Sequence, residues 1–380
     1  MDIKSIKEIG RDKKDENFQL LLNIYYDLGA SLECRTEVVS SIGRYGPLPK
    51  VFSFIEENFK NTNNNMDMVY QMYRTCLRYI NHGDFAILAT EINSYYKNNE
   101  VLAKMTRFHE HRIKKIKHHR HNIDQQSRLW IGENLQYLTS LKESSVGLVF
   151  TSPPYYNARE YSSYKSYADY LKSMASIIEE CHRVLEEGRL IVINVSPVIS
   201  KRPGREFEST RYPIPFDFHR ILTEAGFDYI DDITWLKSDY SVPNRNAIYI
   251  KNQVPLSYKP NPVTESLMVY RKRANFLIDE NIKVAKHGIV RQEEIEMTCC
   301  WQIEPKRSAI HPAIFPENLC RHVIHYYSFS GDVVMDPFAG SCTVGKVASQ
   351  MNRKYILMER EEAYTAQFQQ DHQDVLVSRP

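Results

Sequence analysis

From Leu129 onward, short apolar runs alternate with amphipathic stretches, and few folds accommodate that rhythm. RLWIGE, VGLVF, RLIVINV, DYIDDITWLK, VTESLMVYRK, GDVVMD and KYILMER read as strands, with Glu265 of VTESLMVYRK a structural residue. ENLQYLTSL, FDFHRILTEAGF and TVGKVASQM read as helices between them, and YADYLKSMASIIEECHRVLEEG as a long helix closed by Gly188 just past its end. Strand–helix alternation through short loops predicts an α/β fold, a doubly wound and mostly parallel sheet. Ligands in such sheets bind beyond the carboxyl ends of the strands. Two unusual loops lie at such ends.

The first, TSPPYYNARE (151–160), follows VGLVF directly. Its adjacent prolines fix φ and remove two backbone donors, so Ser152-Pro153-Pro154-Tyr155 must be extended and rigid, with acceptors beside an aromatic ring. The second, Asp336-Pro337-Phe338-Ala339-Gly340-Ser341-Cys342-Thr343, follows GDVVMD and opens a helix. Small residues there let the backbone approach a ligand, and the helix N-terminus offers free N–H groups to an anion. The loop is neither GxGxxG nor a phosphate-binding P-loop, because the Gly-Lys-[Ser/Thr] ending is missing. The next strand ends in Glu359, where a carboxylate can accept from the two hydroxyls of a ribose. A nucleoside with a charged tail fits this order better than a dinucleotide.

TSPPY and DPFAGSCT together resemble the amino-methyltransferases of DNA, which use S-adenosyl-L-methionine (AdoMet). The order, catalytic loop first and cofactor loop last, is similar to the permuted β class, and the resemblance runs from about residue 128 to 362. It implies Ser152, Pro153, Pro154 and Tyr155 as the catalytic loop that holds the base. It implies Asp336, Pro337, Phe338, Ala339, Gly340, Ser341 and Thr343 as the cofactor loop, with Glu359. Glu133, where the family usually has aspartate, is implied near the cofactor's adenine. HPAIFPENL (311–319) resembles the segment that closes over the cofactor, which adds His311, Pro312 and Phe315. Cys342 stands where a second glycine is usual, and its sulfur is expected beside the cofactor tail.

The residues supply a reason for the rigid loop. The exocyclic amine of cytosine or adenine is a poor nucleophile, because its lone pair is delocalised into the ring. Fixed acceptors at Ser152 and Pro153 can draw it towards sp³ geometry without reorganisation, and Tyr155 offers a stacking face to a base taken out of the duplex. No metal is required. Serine at the first position and the HPA-x-FP segment lean towards cytosine N4, with adenine N6 the alternative. A carbon-5 cytosine methyltransferase would need a nucleophilic cysteine, commonly in Pro-Cys, and no Pro-Cys occurs. Methylation of RNA and a degenerate, DNA-binding homologue are the other readings.

Residues 1–105 differ: FQLLLNIYYDLGASL, PKVFSFIEENF and DFAILATEINSYY carry helical periodicity and no catalytic constellation. They predict an all-α N-terminal region. Residues 106–127 form a basic linker, and within it RFHEHRIKKIKHHRH (107–121) suits a solvated face or phosphate contacts. Residues 128–380 form the methyltransferase domain, in which about 197–300, rich in Arg, Asn, Gln and Tyr, is the expected target-recognition region. Double-stranded DNA is the expected partner, with a cognate restriction endonuclease acting on the same site. The seven cysteines are scattered without CxxC spacing and read as reduced structural thiols rather than zinc ligands. No apolar run is long enough for a membrane helix and no signal-peptide core is evident, so a cytoplasmic location is expected.

Overall fold

The computed structural model describes residues 2–61, 63–99, 126–156, 164–199, 204, 206–207, 209–274, 295–306 and 314–380. The chain divides into two units, residues 1–117 and 118–380. The basic segment 107–121 lies outside the described residues.

The first unit contains α1 (Ile3–Asp12), α2 (Asp15–Tyr26), α3 (Leu32–Ile42), α4 (Pro49–Asn58), α5 (Met66–Arg78) and α6 (Gly83–Tyr95). Their starts are written in the sequence: the side chains of Asp2, Ser31 and Asn65 accept from backbone N–H groups three residues on, and Pro49 opens α4. One stripe of each helix feeds a core that includes Ile6, Leu21, Tyr25, Val38, Ile55, Met68 and Ile92. Gly10 lets α1 meet α3 closely, since a Cβ there would lie 2.5 Å from that of Ser41.

The second unit is built on β1 (Arg128–Ile131), β2 (Val146–Thr151), β3 (Leu185–Val195), β4 (Val198–Ile199), β5 (Arg211–Tyr212), β6 (Phe227–Leu236), β7 (Thr264–Lys272), β8 (Cys300–Gln302), β9 (Val333–Asp336), β10 (Lys354–Glu359) and β11 (Leu376–Ser378). Nine of these form one sheet in the order β11-β1-β10-β9-β2-β3-β7-β6-β8. Pairing from β11 through β3 is parallel, and β7 runs antiparallel to both β3 and β6. Between the strands lie α7 (Asn134–Ser140), α8 (Tyr167–Val184), α9 (Ile214–Glu224), α10 (Ala247–Asn252), α11 (Glu317–Tyr327), α12 (Thr343–Gln350) and α13 (Glu362–Asp371). The sheet is doubly wound and mostly parallel, as the alternation predicts.

Both faces are covered, which is why the strands read as continuous apolar runs. Val149, Ile191, Ile193, Met335 and Ile356 join Tyr170, Met174, Ile178 and Cys181 of α8 in one cluster. Leu148, Phe150, Val192, Val334 and Leu357 join Leu319, Val323 and Ile324 of α11 and Val344 and Val347 of α12 in the other.

Ser166 caps α8, accepting from Asp169 N at 3.1 Å. The helix does not run to Gly188: it ends at Val184, and β3 begins at the next residue. Val146 pairs with Leu185, which draws residues 185–187 into the sheet, and Gly188 (φ +73°) absorbs the resulting bulge.

Chain order reverses direction across the β9–β2 seam. From β2 the chain moves to β3 on one side, and from β9 it moves to β10 on the other. Such a switch point opens a crevice at the carboxyl ends of the two central strands. TSPPY leaves β2 there and DPFAGSCT leaves β9 beside it.

Candidate active site

The two loops are joined at their roots. β2 and β9 pair through Leu148↔Val334 and Val149↔Met335, so Thr151 and Asp336 close adjacent strands. Thr151 Oγ1 donates to Asp336 Oδ1 at 2.6 Å, and Phe338 N donates to the same oxygen at 3.0 Å. Asp336 is buried, and that burial pushes its carboxyl up to about 7 against the pull of both donors. It braces the loop from inside.

On the β2 side, Pro153 is buried, while Ser152, Pro154 and Tyr155 are half-buried. Ser152 Oγ donates to the Asn194 carbonyl at 3.2 Å and accepts from Asn194 Nδ2 at 3.4 Å, which leaves one lone pair available as an acceptor. Tyr155 Oη donates to Glu265 Oε2 at 2.8 Å, and Asn194 Nδ2 donates to the same oxygen at 2.5 Å. Lys237 Nζ pairs with Glu265 Oε1. Burial, then the Glu265 charge, push the Tyr155 phenol well above its ordinary range. Asn194 Oδ1 is buried and has no hydrogen-bond partner, an acceptor left open two bonds from an amide nitrogen that faces Ser152 and Tyr155. Tyr156 turns the other way, edge-on to Tyr212 at 4.7 Å and Tyr167 at 5.2 Å, so an aromatic cluster supports the loop from below.

On the β9 side, Pro337, Ala339 and Gly340 are buried, and Phe338, Ser341 and Thr343 are half-buried. Thr343 begins α12. Gly340 (φ +51°) donates its N–H to Glu359 Oε2 at 2.8 Å, and Glu361 N donates to Glu359 Oε1 at 2.8 Å. Burial pushes the Glu359 carboxyl up, against these backbone donors. Each of its oxygens keeps a further lone pair. Across the sheet Ile131 pairs with Glu359, and Gly132 N donates to the Glu359 carbonyl at 2.9 Å. Asn134 Nδ2 donates to the Pro337 carbonyl at 3.0 Å, which ties the start of α7 to the same loop.

A match to a family model then places the chain: the DNA methylase model of N6 and N4 type matches residues 146–370. The chain belongs to the N6/N4 DNA methylase family.

Two curated relatives give the range of likeness. The type II beta methyltransferase M.BslI of Bacillus sp. (strain NEB-606) is 28% identical over 231 residues, 58% of this chain and 25% of that protein. The orphan methyltransferase M.BamHII of Bacillus amyloliquefaciens is 28% identical over 248 residues, 59% of this chain and 88% of that one. The match thus spans a quarter of M.BslI and most of M.BamHII. A Thermus thermophilus protein assigned as a DNA modification methylase, solved with S-adenosyl-L-methionine, is 25% identical over 67% of this chain and 97% of its own, with a TM-score of 0.49.

The methyl donor of N6/N4 DNA methylases is S-adenosyl-L-methionine, and the donor set here fits it. Glu359 retains acceptor capacity for ribose hydroxyls, and α12 points its N-terminus, free of any acidic side chain in the first turn, at the loop. Phe315 stacks on Phe150 of β2 at 4.9 Å and 17°, setting the segment before α11 beside the site. His311 and Pro312 lie outside the described residues.

Three residues named from the sequence have surroundings in this methylase fold that the sequence did not show. Glu265 lies at the base of the SPPY loop, where its carboxylate accepts from the Tyr155 hydroxyl. The Cys342 sulfur is not beside the open face of the loop. It is fully buried in the apolar cluster with Val344 and Leu357, 3.8 Å from the Gly340 carbonyl. The backbone at Cys342 is left-handed (φ +63°), which explains why glycine suits the position. Glu133 points outward, 68% exposed and 3.7 Å from Arg360, rather than into the sheet end.

Asn194, Glu265, Lys237 and Thr151 are the site residues that the sequence reading missed. Asn194 stood in plain view as the one polar residue of RLIVINV, apart from its leading arginine, in an otherwise apolar central strand. Among the described residues no group of three or more His, Cys, Asp or Glu is arranged to hold a metal ion, and no helix is long and apolar enough to cross a membrane.

Proposed function

We propose that the chain is a site-specific methyltransferase acting on an exocyclic amine of double-stranded DNA, with cytosine N4 as its target. The observation that carries this is the seam at the switch point. The rigid SPPY loop and the cofactor loop leave neighbouring strands, and Thr151 and Asp336 bond across them at 2.6 Å.

When bound, S-adenosyl-L-methionine supplies an electrophilic methyl group on a sulfonium. Glu359 would take the ribose hydroxyls. The backbone of Ala339, Gly340 and Ser341 with the α12 N-terminus at Thr343 would take the charged tail, and Phe338, Phe315, His311 and Pro312 would enclose it. Asp336 and Pro337 shape that loop.

Ser152 Oγ and the Pro153 carbonyl accept hydrogen bonds from the target amine and localise its lone pair. The Pro153-Pro154 backbone holds these groups in place before the base arrives, so little reorganisation is left for the transition state. Tyr155 supplies the ring on which the flipped base stacks.

Cytosine is favoured by serine at position 152 and by the HPA-x-FP segment at 311–316. Expression in a host without DNA methylation, followed by nucleoside mass spectrometry, should yield N4-methylcytosine. N6-methyladenine instead would move the target to adenine, and methylated RNA with unmodified DNA would overturn the DNA reading. Sequencing the same DNA gives the recognised site.

The remaining organisation follows from this reading. Residues 1–105 serve DNA affinity or partner contacts, 106–127 is a basic linker, and 128–380 carries the chemistry, with target recognition in about 197–300. A restriction endonuclease with the same site is the expected companion in the cytoplasm. A chain lacking residues 1–105 that folds but no longer binds AdoMet would refute this division.

A further inference from the structure

The site holds a charged pair that the chemistry above does not use. Glu265 and Lys237 are both largely buried, with 15% and 14% of their side chains exposed. Burying an ion pair has a desolvation cost that a well-packed apolar pair would avoid, so such pairs are weak evidence for stability and better evidence for fixed geometry. Here the geometry is explicit. One oxygen of Glu265 takes Lys237, and the other takes both the Tyr155 hydroxyl at 2.8 Å and the Asn194 amide at 2.5 Å. Lys237 is further fixed by the Trp235 ring, 4.7 Å from its ammonium.

The chain position of this pair adds a second observation. Lys237 follows β6 and Glu265 lies at the start of β7, and Lys237 N donates to the Val263 carbonyl at 2.8 Å. The pair therefore closes the root of the excursion 238–263. That excursion carries Arg245, Lys251 and Lys259 against a single acid, Asp239, and leaves Tyr240 79% and Leu256 102% exposed. A positively charged surface with outward rings and apolar side chains suits the phosphates and bases of DNA.

We propose that Glu265, held by Lys237, is a positioning residue that sets the plane of the Tyr155 ring, so that the root of the DNA-facing excursion and the base-holding loop share one carboxylate. The inference rests on the reading of Ser152–Tyr155 as the base-holding loop. A carboxylate accepting from a phenol fixes the ring through a charge-assisted bond, stronger than a neutral one. Removing the charge while keeping the shape should let the ring tilt without touching the cofactor loop.

The test is a double-mutant cycle on the full chain. Transfer of tritiated methyl from AdoMet to unmethylated phage DNA is measured with AdoMet affinity by calorimetry. Glu265→Gln should lower kcat at least tenfold, with AdoMet affinity within twofold. In a Tyr155→Phe background the same substitution should cost threefold or less, because the bond through which it acts is already gone. Lys237→Met, which keeps the chain length and the contact with Trp235, should reproduce the loss and serves if Glu265→Gln does not fold. Equal losses in both backgrounds, or AdoMet affinity falling in step with activity, would overturn the proposal. Ser152→Ala in the same assay separates the two levels. If it leaves transfer intact, the loop reading fails first; if it abolishes transfer while Glu265→Gln is additive with Tyr155→Phe, only the positioning role fails.

Discussion

The Thr151 hydroxyl donates to the buried Asp336 carboxyl across the β2–β9 seam, where the two loops of the candidate site begin. The bond makes the two loops one mechanical unit, because neither strand end can shift without disturbing the other. Thr151→Val keeps the shape and removes the donor. It should cost about 1–3 kcal/mol of stability, the usual cost of leaving a buried acceptor short of a donor. Denaturant unfolding with an unchanged slope would read this directly. A variant as stable as the parent would show that the seam is held by strand pairing alone.

Asp336 also predicts a pH dependence with a definite sign. Its folded-state value of about 7 lies above the ordinary 3.8 because of burial. Between about pH 4 and 7 the unfolded chain releases this proton while the folded chain keeps it. The contribution of Asp336 to stability therefore falls as pH rises through that window and levels off above it. Asp336→Asn keeps an acceptor for Thr151 and Phe338 and cannot ionise. Relative to the parent it should gain stability from pH 4 to 7, by up to about 4 kcal/mol for a shift of this size. Melting curves at half-unit steps test it; parallel pH profiles would mean that the carboxyl ionises freely in the folded state.

The parts of this site that could be read in the sequence were the contiguous ones. SPPY and DPFAGS are short strings whose rigidity and small side chains announce a function, and the flanking apolar runs announce the strands beneath them. Asn194 and Glu265 were not legible in this way. They lie 42 and 71 residues apart from their partners, Ser152 and Asn194 respectively. Their meeting depends on β3 pairing antiparallel with β7, with Asn194 opposite Leu267. Register of that kind is set by the assembled sheet. The end of α8 was misread for a related reason: Gly188 has the left-handed φ of a helix stop, but strand pairing of Leu185 with Val146 takes the chain first.

Cys342 sets two opposed effects against each other. Its left-handed backbone costs a non-glycine residue on the order of 1–2 kcal/mol, while its side chain fills space in a fully buried cluster. Cys342→Gly should therefore leave stability within about 1 kcal/mol of the parent and AdoMet affinity unchanged. Cys342→Val should be worse than either, since a β-branched residue tolerates positive φ poorly. Burial also pushes this thiol, like those of Cys76, Cys181 and Cys320, well up from the ordinary range. In the native protein an alkylating reagent should label the exposed Cys299 and Cys300 first. Rapid labelling of Cys342 in the folded state would show that the cofactor loop opens.

The sharpest prediction separates the ring of Tyr155 from its hydroxyl. Tyr155→Ala removes the stacking face, worth roughly 1–3 kcal/mol per base where such stacking has been measured on single strands. It also removes the donor to Glu265, so methyl transfer should fall a hundredfold or more. Tyr155→Phe keeps the face and loses the donor that fixes it, and should fall about tenfold, the loss expected of Glu265→Gln. Ser152→Ala removes an acceptor for the target amine while Pro153 and Pro154 keep the loop extended, so it too should lose transfer by orders of magnitude. Both side chains sit on the β2 side of the seam, away from Gly340 and Glu359, and AdoMet affinity should stay within about twofold of the parent. Single-turnover transfer on duplex DNA, set beside AdoMet calorimetry for each variant, reads both quantities. Near-normal transfer by the Ser152→Ala, Tyr155→Ala double variant would remove this loop from the chemistry.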